Sequence, residues 1–250
     1  MRMKRSNRQP LFLLLAVATM LSACSPAGQS GDSDNVMRIA VSAAAHPVNA
    51  ALQSCALMGL SEDQQLFVES RVVDAAELGT FDFAVQLGEW TEDAQVIAEI
   101  SKENLIVILH TSNPVRSLSN EQIADLFSGR IDNWNLVEGS EAEVALWISP
   151  ESDEGRRALE RVLLAGIPVS GNARLAASPQ HMLDAVGADE NALGLLPGAW
   201  VDSSVRSVES NIALPVLAVA GRELSGEASA IIACMQGEQG QTILAESYSR

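Results

Sequence analysis

The run Asn104-Leu105-Ile106-Val107-Ile108-Leu109-His110 places five large apolar residues in a row between two polar ones. A strand of that kind has no polar face to offer water, so both of its faces must be covered, as in a sheet packed by helices on either side. The rest of the chain meets that demand. Strand-like segments at 36–42, 66–73, 81–87, 143–149, 192–196 and 212–220 alternate with segments of helical apolar spacing at 47–57, 120–127, 154–165, 178–187, 226–236 and 238–247. Such alternation predicts an α/β chain with mainly parallel sheets flanked by helices.

Compartment follows from the N-terminus. Arg2, Lys4, Arg5 and Arg8 precede an apolar run, Leu11 to Met20, that is too short to span a bilayer and ends in Leu21-Ser22-Ala23-Cys24. This pattern predicts a secretion signal over 1–23. The residues LSAC resemble the lipobox of bacterial lipoproteins, which implies acylation of Cys24 and an extracytoplasmic protein, periplasmic or at the cell surface, held to the membrane by lipid. An ordinary secretory signal with Cys24 as a bystander is the alternative. Residues 25–35, SPAGQSGDSDN, hold no large apolar side chain. With Cys24 they form a flexible tether over 24–35, and the folded part runs from Val36 to Arg250.

Charge narrows the partners. The chain has 16 basic and 32 acidic residues, and loss of 1–23 removes four basic and no acidic ones, leaving 12 against 32 and a formal charge of −20. Such a surface repels nucleic acid and anionic lipid, although an internal site makes its own local field. The reading is of a monomer that binds no nucleic acid.

Two cysteines remain beyond Cys24. Cys55 falls on the helix containing Val48, Ala51 and Leu52, and Cys234 on the one containing Ile231, Ile232 and Met235. In an oxidising compartment a Cys55–Cys234 bond and two separately buried thiols are both compatible with the spacing.

No catalytic or metal motif is legible. His46, His110 and His181 are the only histidines, and HExxH, GxSxG, CxxC and Walker-type loops are all missing from the sequence. The expectation is a protein without enzymatic activity, cofactor or metal.

The segment 117–140, SLSNEQIADLFSGRIDNWNLVEGS, is informative in detail. Ser119 and Gln122 have capping-box spacing, Ile123, Leu126 and Phe127 bury one helix face, and Gly129 suits a left-handed terminator with Trp134 folded back over the end. Together with the preceding strand, residues 104–138 resemble the region of phosphate-type periplasmic binding proteins in which an apolar strand leads to Asn-Pro, a Leu-Ser/Thr-x-x-Gln/Glu helix, Phe-Ser-Gly and Trp. Asn113-Pro114, Leu118, Phe127-Ser128-Gly129 and Trp134 carry that resemblance. Ala192-Leu193-Gly194-Leu195, Leu214-Pro215-Val216-Leu217 and Glu238-Gln239-Gly240-Gln241 extend it over most of the mature chain.

The resemblance implies a two-lobed periplasmic binding protein-like fold of type II, with lobe 1 at 36–110 and 197–250, lobe 2 at 111–196, and hinges near 110–113 and 195–198. It implies phosphate or another small solute in the cleft between the lobes, and an ABC-type membrane permease as partner. The ligand contacts it implies are the Ser42 hydroxyl with the amides of Ala43 and Ala44, then Gln86, and then Ser152, Gly155 and Arg156. The sequence departs from the pattern at Asp153 and Glu154, which stand where the family has hydroxyl-bearing and small residues. Like charge beside a dianion opposes its binding. A second reading follows: a binding-protein-like fold that has lost its ligand and serves as an interaction or sensory module at the envelope.

Overall fold

The computed structural model describes residues 35–248. The expected signal, Cys24 and nearly all of the tether lie outside the described residues.

Eight strands form one sheet: β1 (Val36–Val41), β2 (Gln65–Ser70), β3 (Phe83–Leu87), β4 (Val96–His110), β5 (Ala145–Ile148), β6 (Arg174–Leu175), β7 (Ala192–Pro197) and β8 (Val205–Ala220), in the order β2-β1-β3-β8-β4-β7-β5-β6. The outer pairs β1/β2, β1/β3, β5/β6 and β5/β7 are parallel, whereas the inner pairs β3/β8, β4/β8 and β4/β7 are antiparallel. Both halves of the sheet are thus parallel outward from a central antiparallel ribbon, which gives the two-lobed α/β arrangement.

That ribbon is longer than the apolar runs foretell. The strand begins at Val96 rather than at 104, and its partner begins at Val205 rather than at 212. Residues 96–104 and 205–211 carry Glu99, Lys102, Glu103, Arg206, Glu209 and Asn211. Their polarity hides strand character that pairing with a neighbour supplies. The ribbon is interrupted twice. Leu105 faces Ile212 and Ile106 faces Glu209, so Ser210 and Asn211 bulge out, with Asn211 at φ 55°; a second shift separates Glu99 and Ser101. The Ser210 hydroxyl donates to the Leu105 carbonyl at 2.5 Å, and the Gln241 side chain donates to the Ile100 carbonyl at 2.8 Å. Bulges of this kind bend a strand pair and raise its twist. The expected crossings at 110–113 and 195–198 fall at the end of β4 and along β7.

The helices are α1 (Asn49–Gly59), α2 (Ala75–Leu78), α3 (Asn120–Ser128), α4 (Glu154–Leu159), α5 (Pro179–Ala188), α6 (Gly226–Gln236) and α7 (Glu238–Tyr248). One apolar cluster joins α1, α3, α4, α6 and α7 to the sheet, while Leu78 of α2 and Met182, Leu183 and Val186 of α5 cover it in two separate clusters. The run at 105–109 is buried apart from the half-buried Ile106, as two covered faces require. A disulfide joins Cys55 on α1 to Cys234 on α6, with Cα atoms 5.7 Å apart.

At α3 the local chemistry is explicit. The Gln122 amide donates to the Ser119 hydroxyl at 3.1 Å, the Ser119 amide donates to the Gln122 side chain at 2.8 Å, and Gly129 ends the helix at φ 76°. Trp134 is buried and its indole N–H donates to the Asn191 carbonyl at 3.0 Å, fastening the turn to the start of β7. The helix at 154–165 is α-helical only to Leu159, then widens to a π turn over Glu160–Leu164 before Ala165 takes a left-handed conformation.

Candidate binding cleft

Strand directions determine where a site can form. β1, β3 and β4 run one way, and β7 and β5 run the other. The carboxyl ends of β1 and β3 therefore point toward the second half of the sheet, and that of β5 points back toward the first. In open α/β sheets ligands bind beyond the carboxyl ends of strands, and here two sets of such ends face one another. Ser42 follows β1, Gln86 and Leu87 end β3, and Ser149 to Asp153 follow β5 and lead into α4. Between them lies a cleft of about 380 Å³ lined by Gln86, Leu87, Trp90, Ser152, Glu154 and Arg157, among others.

Glu154 bridges this cleft. It is the first residue of α4, is only 5% exposed, and reaches from the second half to the first. Its Oε2 accepts from the Ser42 hydroxyl at 2.6 Å, and its Oε1 accepts from the Leu87 backbone N–H at 3.1 Å. Burial pushes its carboxyl up to about 7 and the neighbouring Asp153 charge adds to that, while the Ser42 and Leu87 hydrogen bonds and the Arg157 charge pull the other way. Asp153 is raised as well, again by burial first, although it caps α4 by accepting from the Arg156 N–H at 2.9 Å.

The remaining walls are acidic. Asp74, Glu77, Glu89 and Glu92 line the first-half side, facing Arg157 and Arg161 on α4 and its π turn. All four are committed: Glu77 pairs with Arg71, Glu89 lies 3.7 Å from Arg161, Asp74 accepts from the Glu77 N–H, and Glu92 accepts from the Ala75 N–H. Among the described residues that line the cleft, two buried polar atoms have no hydrogen-bond partner, the Gln86 Oε1 and the Trp90 Nε1. A groove of this composition presents a few fixed polar groups and disfavours a dianion.

The expected ligand residues separate. Ser42, Gln86 and Ser152 stand at the cleft. Gly155 is buried beneath it, where an added Cβ would lie 3.4 Å from the Leu105 side chain. Ala44 packs in the core, and Ala43 gives its carbonyl to the Trp200 indole N–H at 3.3 Å. Arg156, expected to grip the ligand, instead donates to Glu160 at 2.8 Å and to the Ser149 carbonyl at 3.0 Å, and lies 3.6 Å from Glu151. The Glu160 at i+4 is the sequence signal that assigns Arg156 to its own helix. Arg157, Trp90 and the bridging role of Glu154 were not foreseen, and no spacing in the sequence marks them.

The histidines are scattered: His46 packs on Trp200 at 5.6 Å, His110 Nδ1 lies 2.6 Å from the Ser112 hydroxyl, and His181 packs on Trp147 at 5.5 Å. Among the described residues no three His, Cys, Asp or Glu side chains group as metal ligands, and no helix is long and apolar enough to cross a membrane.

Solved structures share this architecture. A phosphate-bound structure described as a putative phosphate ABC transporter substrate-binding protein from Clostridium perfringens aligns with TM-score 0.75 and 21% identity over 86% of this chain and 98% of that one. An ABC-type phosphate transport receptor from Vibrio cholerae aligns with TM-score 0.68 and 18% identity, covering 84% and 98%. A reduced form of OxyR from N. meningitidis also aligns, with TM-score 0.63 and 13% identity over 82% and 96%. At these identities the likeness is one of fold. The model of the PBP superfamily domain matches residues 88–233, more than half of the chain. The protein belongs to the PBP superfamily.

Proposed function

We propose that this chain is an extracytoplasmic solute-binding protein of the phosphate ABC-transporter type, tethered to the membrane through a lipid on Cys24. It takes phosphate or another small solute in the cleft and delivers it as a monomer to an ABC-type permease. The observation that carries this reading is the convergence of both sets of strand ends on one cleft, with the buried and unpartnered Gln86 Oε1 at its wall. The chain passes between lobes within β4 and β8, and the bulges at Glu99/Ser101 and Leu105/Ile106 are the pivots for opening. Among solutes, the acidic lining favours those without two negative charges.

A second reading, a fold that has given up its external ligand and acts as an envelope interaction or sensory module, is favoured by one observation: the Glu154 carboxylate engages donors from across the cleft. Calorimetric titration of the wild-type protein with phosphate, other oxyanions and amino acids tests both. Saturable heat from one of them supports solute binding, and silence from all of them overturns the transport reading.

A further inference from the structure

We propose that the cleft contains an anion subsite, formed by the Ser42 hydroxyl and the Leu87 amide beside Gln86 and Arg157, that the protein fills with its own Glu154 carboxylate. The ligand class of the vacated subsite is a small oxyanion, a monocarboxylate or inorganic phosphate. This inference rests on reading the cleft as the recognition site.

The donor set fits an oxyanion. A hydroxyl at 2.6 Å and a backbone N–H at 3.1 Å, each on the two-oxygen head of one carboxylate and both at the carboxyl ends of β1 and β3, reproduce how proteins hold free anions. They come from strands far from Glu154 in sequence, 112 and 67 residues away, so neither is incidental helix capping. Asp153, not Glu154, is the residue that caps α4. Ser42 is itself fixed, because its oxygen also accepts from the Ala45 N–H at 3.2 Å.

The arrangement is not explained by stability. Two hydrogen bonds satisfy half of a carboxylate's acceptor sites, and among the described residues no basic group lies within salt-bridge distance of Glu154. Burying a charge so sparsely partnered is costly, and an apolar or amide residue would serve packing better. Next to it the Gln86 Oε1 is buried at 7% exposure without a partner. That oxygen is an acceptor and no part of the anion's donor set, which is the Ser42 hydroxyl and the Leu87 N–H; held by these two from across the cleft, the Glu154 head group closes the cleft as a bound solute would.

Vacating the subsite tests the idea. Thermal unfolding and calorimetry of the full mature chain carrying Glu154→Ala are measured in sodium acetate, sodium phosphate and sodium chloride at matched ionic strength, beside wild type. The expected result is a saturable rise in melting temperature and measurable binding of acetate or phosphate to the variant, with no response in wild type beyond that of chloride. Glu154→Ser repeats the test with a residue suited to a helix start. Glu154→Gln keeps the group's shape and is expected to stay unresponsive. An alanine variant that responds to acetate and phosphate no more than to chloride, a variant that remains unfolded in every anion, or a Gln variant that binds as the alanine variant does, would each overturn the inference. Phosphate binding to wild type would overturn it while upholding phosphate as the transported solute. An uncharged solute that binds wild type in the same cleft leaves the solute-binding reading intact whatever the variants do.

Discussion

Replacing Glu154 by Gln removes a buried ionisation while preserving the shape of the side chain. In the folded protein this carboxyl titrates near 7, against 4.5 for the unperturbed group. Below pH 4.5 it is protonated whether the chain is folded or not. As pH rises from there toward 7 the unfolded chain releases its proton and the folded chain retains it, so each unit favours unfolding by about 1.4 kcal/mol. Above 7 both states are ionised and the loss stops growing. A raised pKa thus gives stability that is present at low pH and lost on the way up, and between pH 5 and pH 8 that loss is about 2.5 kcal/mol. Gln does not titrate. Glu103, buried on β4 and also pushed up to about 7 by burial, and Asp153, raised for the same reason, contribute with the same sign in both proteins. So does the self-repulsion of an acidic chain, and the difference between the two proteins reports Glu154 together with its coupling to Asp153. Urea unfolding of wild type and Glu154→Gln at pH 5 and pH 8, at constant ionic strength, measures it. The wild type should lose about 2.5 kcal/mol more than the variant over that interval. Equal losses in the two proteins would refute the placement of this carboxyl in a buried bridge.

Three further outcomes follow from the structure. Breaking the Cys55–Cys234 bond, which spans 179 residues, by Cys55→Ala with Cys234→Ala releases about 5 kcal/mol of chain entropy in the unfolded state, and a urea midpoint equal to that of the oxidised wild type would contradict this. Gly129→Ala places a Cβ 2.6 Å from the Ser170 hydroxyl at φ 76°, costing about 1 to 3 kcal/mol in thermal unfolding. Arg157→Ala moves the Glu154 titration upward because it removes an attracting charge, whereas Arg156→Ala leaves that midpoint in place, and carbon-detected NMR distinguishes the two.

Legibility varied with the kind of signal. Elements marked by local chemistry were read almost to the residue: α3 from its capping box and Gly129, α6 and α7 from apolar spacing around Gly237, and β7 from its apolar run. The central ribbon was half missed because its outer stretches are polar, and a strand that gains its order from a partner does not announce itself in composition. α2 and β6, with four and two residues, carry too little periodicity to detect. The motif resemblance pointed to turns and a loop that border the cleft, but helical geometry directs Glu154 across the cleft and Arg156 onto Glu160 and the Ser149 carbonyl, a rotation of about 100° per residue that no local propensity encodes. The partnership of Glu154 with Ser42 and Leu87 is a product of strand direction and lobe closure, both of them tertiary.

The account stands most directly on the state of one carboxyl group. A carbon-13 NMR titration of the Glu154 side chain in the wild-type protein, with the Leu87 amide followed alongside, should give a midpoint near 7 that the Leu87 amide shares. A midpoint in the ordinary carboxylate range with an unresponsive Leu87 amide would put the group in solvent and contradict the bridge across the cleft.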